Sequence, residues 1–381
     1  MRGNSNQSIR LRHFSLDTIF ISLFLILFAI QQPYSLLSCY ILPFVYLLLH
    51  KGTISFSRQT LLIFLAAIGL CMPAMFLINH GYTPLIYIMM SPVLMLFARA
   101  YARKNIFSIS SSLKYSFWIL MTVVLIGVYV NRDEIAPLEG LIAGTSTNGI
   151  PSYFIVLFIA YAISALRAVG HLPIFAAFST FLISVIGLGR GSIIIAAILL
   201  IFVLSFEFYL SKIKTFYKFI ILIFIAISAT AYIASNWSQL STLVENIILG
   251  SKFVDGLYDD ARGQMISEYL AKLDILHFFL GADYLGTSIL EKYDGNPHNS
   301  YIRVHAFYGL GGLVLIFLPV LIIFFKKINW HFKFAVFFLI LCGLIRGISE
   351  PIFFPSLLDF FYVLYFFIFY YHYNSHYPVK S

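Results

Sequence analysis

The stretch 150–167 reads IPSYFIVLFIAYAISALR, and no charged residue occurs in it before Arg167. A bilayer core of about 30 Å needs about 20 apolar residues of helix, so this stretch predicts a helix that crosses a membrane. Similar apolar runs follow one another along the chain. They predict about twelve spans, at 15–31, 34–50, 60–78, 82–98, 114–131, 150–167, 171–189, 191–210, 216–234, 299–325, 333–348 and 356–372.

The composition agrees with this pattern. Of the 381 residues, 60% are hydrophobic and only 11% are charged, whereas soluble domains have about 45–50% apolar and about 25% charged residues. These values exclude a soluble globular protein and a disordered chain. The formal net charge of +9 does not indicate nucleic-acid binding, because the basic residues are spread between apolar runs. The sequence therefore predicts an all-α polytopic helical membrane protein, with 1–381 as a single membrane domain.

The distribution of basic residues predicts how the chain is oriented in the membrane. With the N-terminus in the cytoplasm, most of the 25 Lys and Arg residues fall in inner loops, and the only inner acids are Asp17 and Glu207. This is the arrangement that the positive-inside rule describes, and it places both termini in the cytoplasm. The basic start followed by an apolar run resembles a signal peptide, but no small-residue cleavage site follows it, so a retained first span is predicted.

Two segments between spans are expected on the outer, periplasmic side. One is the short loop 132–149, and the other is the large loop 235–298. Within the large loop, the apolar residues of 259–273 recur at helical spacing, which predicts a short helix at the membrane surface.

No metal or cofactor is predicted. Cys39, Cys71 and Cys342 lie in apolar runs without a second cysteine nearby, so neither a disulfide framework nor a zinc site is indicated. Asp259 and Asp260 stand at a predicted helix start, where acids usually complement the helix dipole rather than bind a metal ion.

Ionisable residues at membrane depth are costly and are therefore candidates for function. Arg190 lies in the stretch 187–192, GLGRGS, whose glycines permit a sharp turn; the alternative is an arginine that extends to the interface. Arg262 stands near the start of the predicted surface helix. The alternative to a functional role is a solvated charge that pairs with Asp259. Arg346 and Glu350 have the i, i+4 spacing of an ion pair on a helix, either structural or substrate-binding.

His298 lies in the stretch 296–301, NPHNSY, where the tenth span begins. Asn299 or Ser300 can cap that helix, and the positive helix end would favour a neutral, proton-accepting imidazole; a structural histidine is the alternative. Arg303 follows about one turn later and is expected to face the same cavity. His305 is expected on the same helix face but deeper, and no third ligand is present for a zinc site.

Three stretches carry a family resemblance: 187–200, GLGRGSIIIAAILL; 261–286, ARGQMISEYLAKLDILHFFLGADYLG; and 297–317, PHNSYIRVHAFYGLGGLVLIF. In this order they resemble the O-antigen polymerase and O-antigen ligase superfamily of bacterial integral membrane glycosyltransferases. The resemblance covers about half of the chain, from Gly187 to Glu350. The turn before Arg190 reads Gly-Arg, where family members often have Ser-Arg.

The resemblance implies that Arg190 and Arg262 bind the pyrophosphate of an undecaprenyl-linked sugar donor. It implies that His298 is the general base for the acceptor hydroxyl in a metal-independent transfer. Arginine forks suit pyrophosphate, and they would stabilise the charge that grows on the leaving group.

The resemblance extends less closely to Arg303, Arg346 and Glu350, which are expected to bind pyrophosphate or glycan. The partners it implies are a lipid-linked oligosaccharide donor and acceptor in the bacterial inner membrane, with a chain-length regulator protein left open. Nucleic acid is not among them. The 40 Phe and 25 Tyr, typical of proteins from AT-rich polysaccharide loci, favour a polymerase over a ligase.

A transporter or flippase is the alternative from another class. Such proteins usually show two related halves and a binding site at the bilayer midplane. Here the long loop follows the ninth span, and the early spans carry almost no ionisable residue.

Overall fold

The computed structural model describes residues 16–30, 33–49, 83–134, 149–236, 260–326, 328–354 and 356–373, with single positions at 65, 69, 137, 138, 141, 238, 239, 241 and 242. These residues form fourteen α-helices and no strand. The helices are α1 Leu16–Ile30, α2 Pro33–Leu49, α3 Thr83–Ala102, α4 Ile106–Val130, α5 Gly149–Val169, α6 Ile174–Ile186, α7 Arg190–Leu210, α8 Thr215–Ser235, α9 Asp260–Ala271, α10 Ile275–Leu280, α11 Ser288–Glu291, α12 Ser300–Phe325, α13 Trp330–Ser349 and α14 Asp359–His372.

The predicted all-helical fold is confirmed for the described residues. Five helices, α4, α5, α7, α12 and α13, are long and apolar enough to cross a membrane, and α1, α3 and α6 contain shorter apolar stretches. Their lengths and composition fit a helical membrane protein. The count of twelve spans stays a prediction, and nearly all of the third predicted span, 60–78, lies outside the described residues.

Helix α4 begins earlier than its apolar run suggests. The predicted span starts at residue 114, whereas the helix starts at Ile106, because the side chain of Asn105 caps it by accepting a hydrogen bond from the backbone of Phe107 at 2.9 Å. Lys114 points outwards from the helix and is exposed. The serine-rich start of the helix, 106–114, therefore continues directly into its apolar part.

Helix α5 is the centre of the bundle. All residues from Ile150 to Leu166 are buried, and α4, α6, α13 and α14 pack around them. A helix that is apolar on every side requires such surroundings. The hydroxyl of Tyr365, on α14, donates a hydrogen bond of 2.6 Å to the carbonyl of Val156 on α5.

Buried hydroxyl groups join further pairs of helices. Tyr301 on α12 donates to the carbonyl of Leu344 on α13 at 2.7 Å, and Ser22 on α1 donates to Ser116 on α4 at 3.0 Å. In apolar surroundings such bonds between helices contribute about 0.6 kcal/mol each on average. They fix the rotation of each helix about its axis.

Basic and aromatic residues collect at one end of the bundle, where α3, α5 and α14 finish. Tyr371 accepts hydrogen bonds from Arg99 and Arg103 at 3.0 and 3.3 Å. Arg167 donates to the carbonyl of His372. Lys326 lies over the ring of Tyr370, 4.4 Å from its centroid. Hydrogen bonds and cation–π contacts with aromatic side chains therefore stabilise the positive charge at this end.

At the opposite end, the segment 260–298 folds onto the first half of α12. Helix α12 is interrupted at Gly309, whose φ of +63° and ψ of −158° are not helical. A Cβ at Gly309 would overlap the carbonyl oxygen of Phe279 on α10, and a Cβ at Gly281 would overlap the carbonyl oxygen of His305. Two glycines thus allow the backbones of α10 and α12 to touch.

We predict that Gly281→Ala detaches this segment, whereas Gly286→Ala does not. Both glycines have a positive φ, but only the Gly286 site has open space for a methyl group. The positive φ costs about 1–2 kcal/mol in either variant, and Gly281→Ala adds a backbone overlap. Denaturant titration in detergent should therefore show a loss of unfolding free energy at least twice as large for Gly281→Ala. Equal losses in the two variants would contradict this packing.

Candidate functional site: an arginine cluster around Glu350

Glu350 lies between two arginines from separate parts of the chain. Its Oε1 atom is 3.5 Å from Nη2 of Arg346 and 3.9 Å from Nη2 of Arg262. Arg346 is on the last turn of α13, whereas Arg262 is on the first turn of α9. The predicted pair of Arg346 and Glu350 is confirmed. The sequence did not predict that Arg262 joins it, and the alternative partner Asp259 lies outside the described residues.

Arg346 is almost completely buried. Its side chain is 1% exposed, and its Nη1 donates a hydrogen bond of 2.6 Å to the hydroxyl of Ser349. Within the described part of the chain, its Nε and Nη2 and the Oε1 of Glu350 have no hydrogen-bond partner. A buried donor that is left unsatisfied costs about 1–3 kcal/mol, and more where it is charged.

The turn before α7 brings Arg190 to this cluster. Leu188 has a φ of +56°, in the left-handed region, which costs roughly 1–2 kcal/mol for a residue with a side chain. The helix then begins at Arg190. A Cβ on Gly191 would lie 3.1 Å from Nη1 of Arg346 and 3.0 Å from Oγ of Ser349. Glycine at 191 therefore permits the start of α7 to lie against the end of α13.

The first turn of α12 holds the chain just after α13. The hydroxyl of Ser300 donates to the carbonyl of Glu350 at 2.6 Å and accepts from the backbone of Ile352 at 2.8 Å. Nη1 of Arg303 lies 3.4 Å from the carbonyl oxygen of Pro351. These contacts fix the backbone of Glu350 and bring Arg303 to the same end of the bundle.

Asp359 is a buried acid that sequence reasoning missed. Its carboxylate accepts hydrogen bonds from the backbone of Phe354 at 2.8 Å and of Ser356 at 2.9 Å. It also interacts electrostatically with Arg303. The sequence did contain a signal for it, because Asp359 lies in the first turn of the last predicted span and acids are favourable at helix N-termini.

His298 borders the cluster from the segment before α12. It precedes Ser300 by two residues, and its ring meets that of Tyr293 edge-on at 6.0 Å between centroids. Its φ of +45° is left-handed, and its backbone N–H donates to Oδ1 of Asn296 at 3.0 Å. Asn299 is the N-cap of α12, as one of the two predicted alternatives.

His305 fastens the segment 260–298 to α12. Its Nε2–H donates to the carbonyl of Phe278 at 2.8 Å, so Nδ1 accepts the hydroxyl of Tyr269, also at 2.8 Å. The same hydroxyl oxygen accepts the backbone N–H of Ala282 at 3.2 Å. Burial raises the pKa of Tyr269 above its usual range, which keeps the phenol neutral.

The expectation that His298 and His305 share one helix face is wrong. The helix begins at Ser300, and the left-handed backbone of His298 turns it away from the helical register. His298 thus lies outside the helix, whereas both ring nitrogens of His305 are engaged by the packed segment.

The exposed apolar surface of the segment 260–298 lies mainly on α10. The sequence indicated 259–273 as a surface helix, but Met265 and Tyr269 of α9 are buried against protein. On α10, Ile275 and Leu276 are exposed. This helix has only six residues, which is too short for hydrophobic periodicity in the sequence to indicate a helix.

The arrangement suits an anion. Arg190, Arg262, Arg303 and Arg346 approach one end of the bundle, while the acids among them are Glu350 and Asp359. Guanidinium forks bind phosphate groups well, and more strongly where water is partly excluded. No group of three His, Cys, Asp or Glu residues in the described ranges could hold a metal ion.

Comparisons of the chain with protein-family models, with curated proteins and with solved structures find no match.

We predict that Tyr269→Phe destabilises the protein, whereas Tyr284→Phe does not. The first variant leaves the N–H of Ala282 and Nδ1 of His305 without a partner, at a cost of about 1–3 kcal/mol. The hydroxyl of Tyr284 is also buried, but it has no hydrogen-bond partner in the described part of the chain. Its removal should change stability by less than about 0.5 kcal/mol.

Thermal unfolding in detergent and limited proteolysis of the segment 260–298 measure this difference. Faster cleavage in Tyr269→Phe alone is expected. Equal cleavage of the two variants would mean that the contact with His305 does not hold the segment.

Proposed function

We propose that this protein is a bacterial membrane glycosyltransferase of the O-antigen polymerase type. It joins oligosaccharide repeat units linked to undecaprenyl pyrophosphate, at the periplasmic face of the inner membrane. The observation that carries the proposal is the group of arginines around the buried Glu350. His298 stands two residues before Ser300, whose hydroxyl donates to the carbonyl of Glu350. Anion binding and proton acceptance at the ends of membrane helices are what a lipid-pyrophosphate donor and an alcohol acceptor require.

In the proposed reaction, Arg190, Arg262, Arg303 and Arg346 hold the pyrophosphate of the donor. The acceptor hydroxyl oxygen attacks the anomeric carbon, and His298 takes the hydroxyl proton. The bond from that carbon to the pyrophosphate oxygen breaks, and lipid pyrophosphate leaves with the bonding electrons. The arginines stabilise its growing negative charge, because they are positioned before the reaction and Arg346 is shielded from water.

The proposed topology has twelve spans, both termini in the cytoplasm and the arginine cluster in the periplasm. One observation supports it. Arg99, Arg103, Arg167 and Lys326 lie at the bundle end remote from Glu350, and basic residues favour the cytoplasmic side.

A lipopolysaccharide gel tests the proposed function in cells that lack this gene and carry a plasmid copy. The wild-type copy should restore a ladder of O-antigen chains. His298→Ala should leave core with a single repeat unit, because loss of a general base costs about 10²–10⁴-fold in rate. His331→Ala is the matched control: this histidine is exposed and lies near Tyr209, at the remote end of the bundle, so its ladder should be normal.

Two other results of the gel would favour a different function. Core without O-antigen, together with long chains stranded on the carrier lipid, would identify a ligase that transfers the glycan to lipid A–core. An unchanged ladder in cells without the gene would contradict both enzymes and favour a transporter.

A further inference from the structure

The arginine nitrogens nearest to Glu350 lie farther from its carboxylate than in a short charge-assisted hydrogen bond. Charge-assisted hydrogen bonds between nitrogen and carboxylate oxygen span about 2.7–2.9 Å, whereas the two arginine nitrogens lie 3.5 and 3.9 Å from Oε1. Arg346 therefore keeps two buried donors, Nε and Nη2, that make no hydrogen bond within the described chain. Donors at 1% exposure that the nearest carboxylate meets only as a long ion pair indicate a site for a ligand with more acceptor oxygens.

Glu350 has a fixed backbone, whereas no hydrogen bond from the described part of the chain holds the Oε1 atom of its carboxylate. Its carbonyl oxygen accepts the hydrogen bond from Ser300, and its backbone has already left the helical conformation, with φ −151° and ψ 145°. Its Oε1 has no hydrogen bond within the described residues. Rotation about the side-chain bonds that withdraws the carboxylate from between Arg262 and Arg346 would therefore break no hydrogen bond between Oε1 and the described chain.

We propose that Arg262 and Arg346 form a site for a phosphate or pyrophosphate group, and that the Glu350 carboxylate occupies this site until the ligand displaces it. The inference rests on the proposed function for the source of the anion, a lipid-linked pyrophosphate. Arg262, whose side chain is 30% exposed, forms the open side of the site. Arg346 forms its buried side.

The physical reason for this arrangement is charge balance. Two guanidinium groups this close would repel each other in partly buried surroundings, and the carboxylate offsets that repulsion while no ligand is bound. A phosphate group carries more negative charge and more acceptor oxygens than one carboxylate, so it can satisfy the donors that Glu350 leaves without partners.

Displacement has a measurable consequence for affinity. The apparent Kd of a site equals its intrinsic Kd divided by the fraction of molecules in which the site is free. If Glu350 occupies the site in about nine molecules of ten, its removal should tighten binding about tenfold. A glutamate that binds substrate directly, or that only holds the fold, predicts equal or weaker binding instead.

Isothermal titration calorimetry on the purified full-length protein in detergent tests this difference. The variant is Glu350→Gln, and the probes are inorganic pyrophosphate and farnesyl pyrophosphate. We expect the Kd of the variant to fall about tenfold relative to wild type for farnesyl pyrophosphate. The same fall in Kd for inorganic pyrophosphate would mean that the headgroup alone displaces Glu350. A fall in Kd for farnesyl pyrophosphate alone would mean that the displacing anion must be linked to a lipid.

Glu268→Gln is the matched control. This carboxylate is also on α9, but it accepts hydrogen bonds from Ser288, at 2.6 and 2.7 Å, and from Gln264, at 2.6 Å. The control should bind both probes as wild type does. An unchanged or raised Kd in Glu350→Gln, for both probes, would overturn the proposal.

A second variant covers the case in which Glu350→Gln fails to fold. Glu350→Asp keeps the charge on a shorter side chain, so it should tighten binding about two- to threefold, and unchanged or weaker binding would again contradict displacement. The measurement involves no glycan transfer. Tighter binding in the variant, together with an unchanged lipopolysaccharide ladder in cells that lack the gene, would therefore refute the proposed function alone.

Discussion

A buried carboxylate shared by two arginines joins the two parts of this protein. Glu350 stands where α13 ends, and its charge faces Arg346 from the bundle and Arg262 from the packed segment 260–298. Removing one partner of a buried ion pair typically costs about 3–5 kcal/mol, because the other charge is left uncompensated. The position of α9 relative to the helix bundle therefore depends on this contact and on the hydrogen bonds of His305.

Strained or closely packed backbone surrounds the same place. Leu188 and His298 adopt left-handed conformations although neither is glycine, and Gly191 permits close contact between α7 and α13. Such strain costs roughly 1–3 kcal/mol per residue and persists only where neighbouring structure enforces it. The two strained residues precede α7 and α12, the helices that begin at the arginine cluster. This strain favours the cluster as the candidate site over the basic and aromatic end of the bundle.

Local pattern was enough to predict much of the fold. Long apolar runs predicted α5, α7 and α12, and the i, i+4 spacing predicted the pair of Arg346 and Glu350. The contact between Arg262 and Glu350 had no local signal, because the two residues are far apart in the chain and meet only through the packing of α9. Similarly, the roles of His298 and His305 depended on where α12 begins, and the Asn299 cap decides that position.

Binding of a pyrophosphate group by the arginines around Glu350 is tested most directly by an electron cryomicroscopy structure with farnesyl pyrophosphate bound. We expect phosphate density within about 3 Å of the guanidinium nitrogens of Arg262 and Arg346, with the Glu350 carboxylate turned away. Density for the ligand at another site, with Glu350 still between the two arginines, would contradict binding at these arginines.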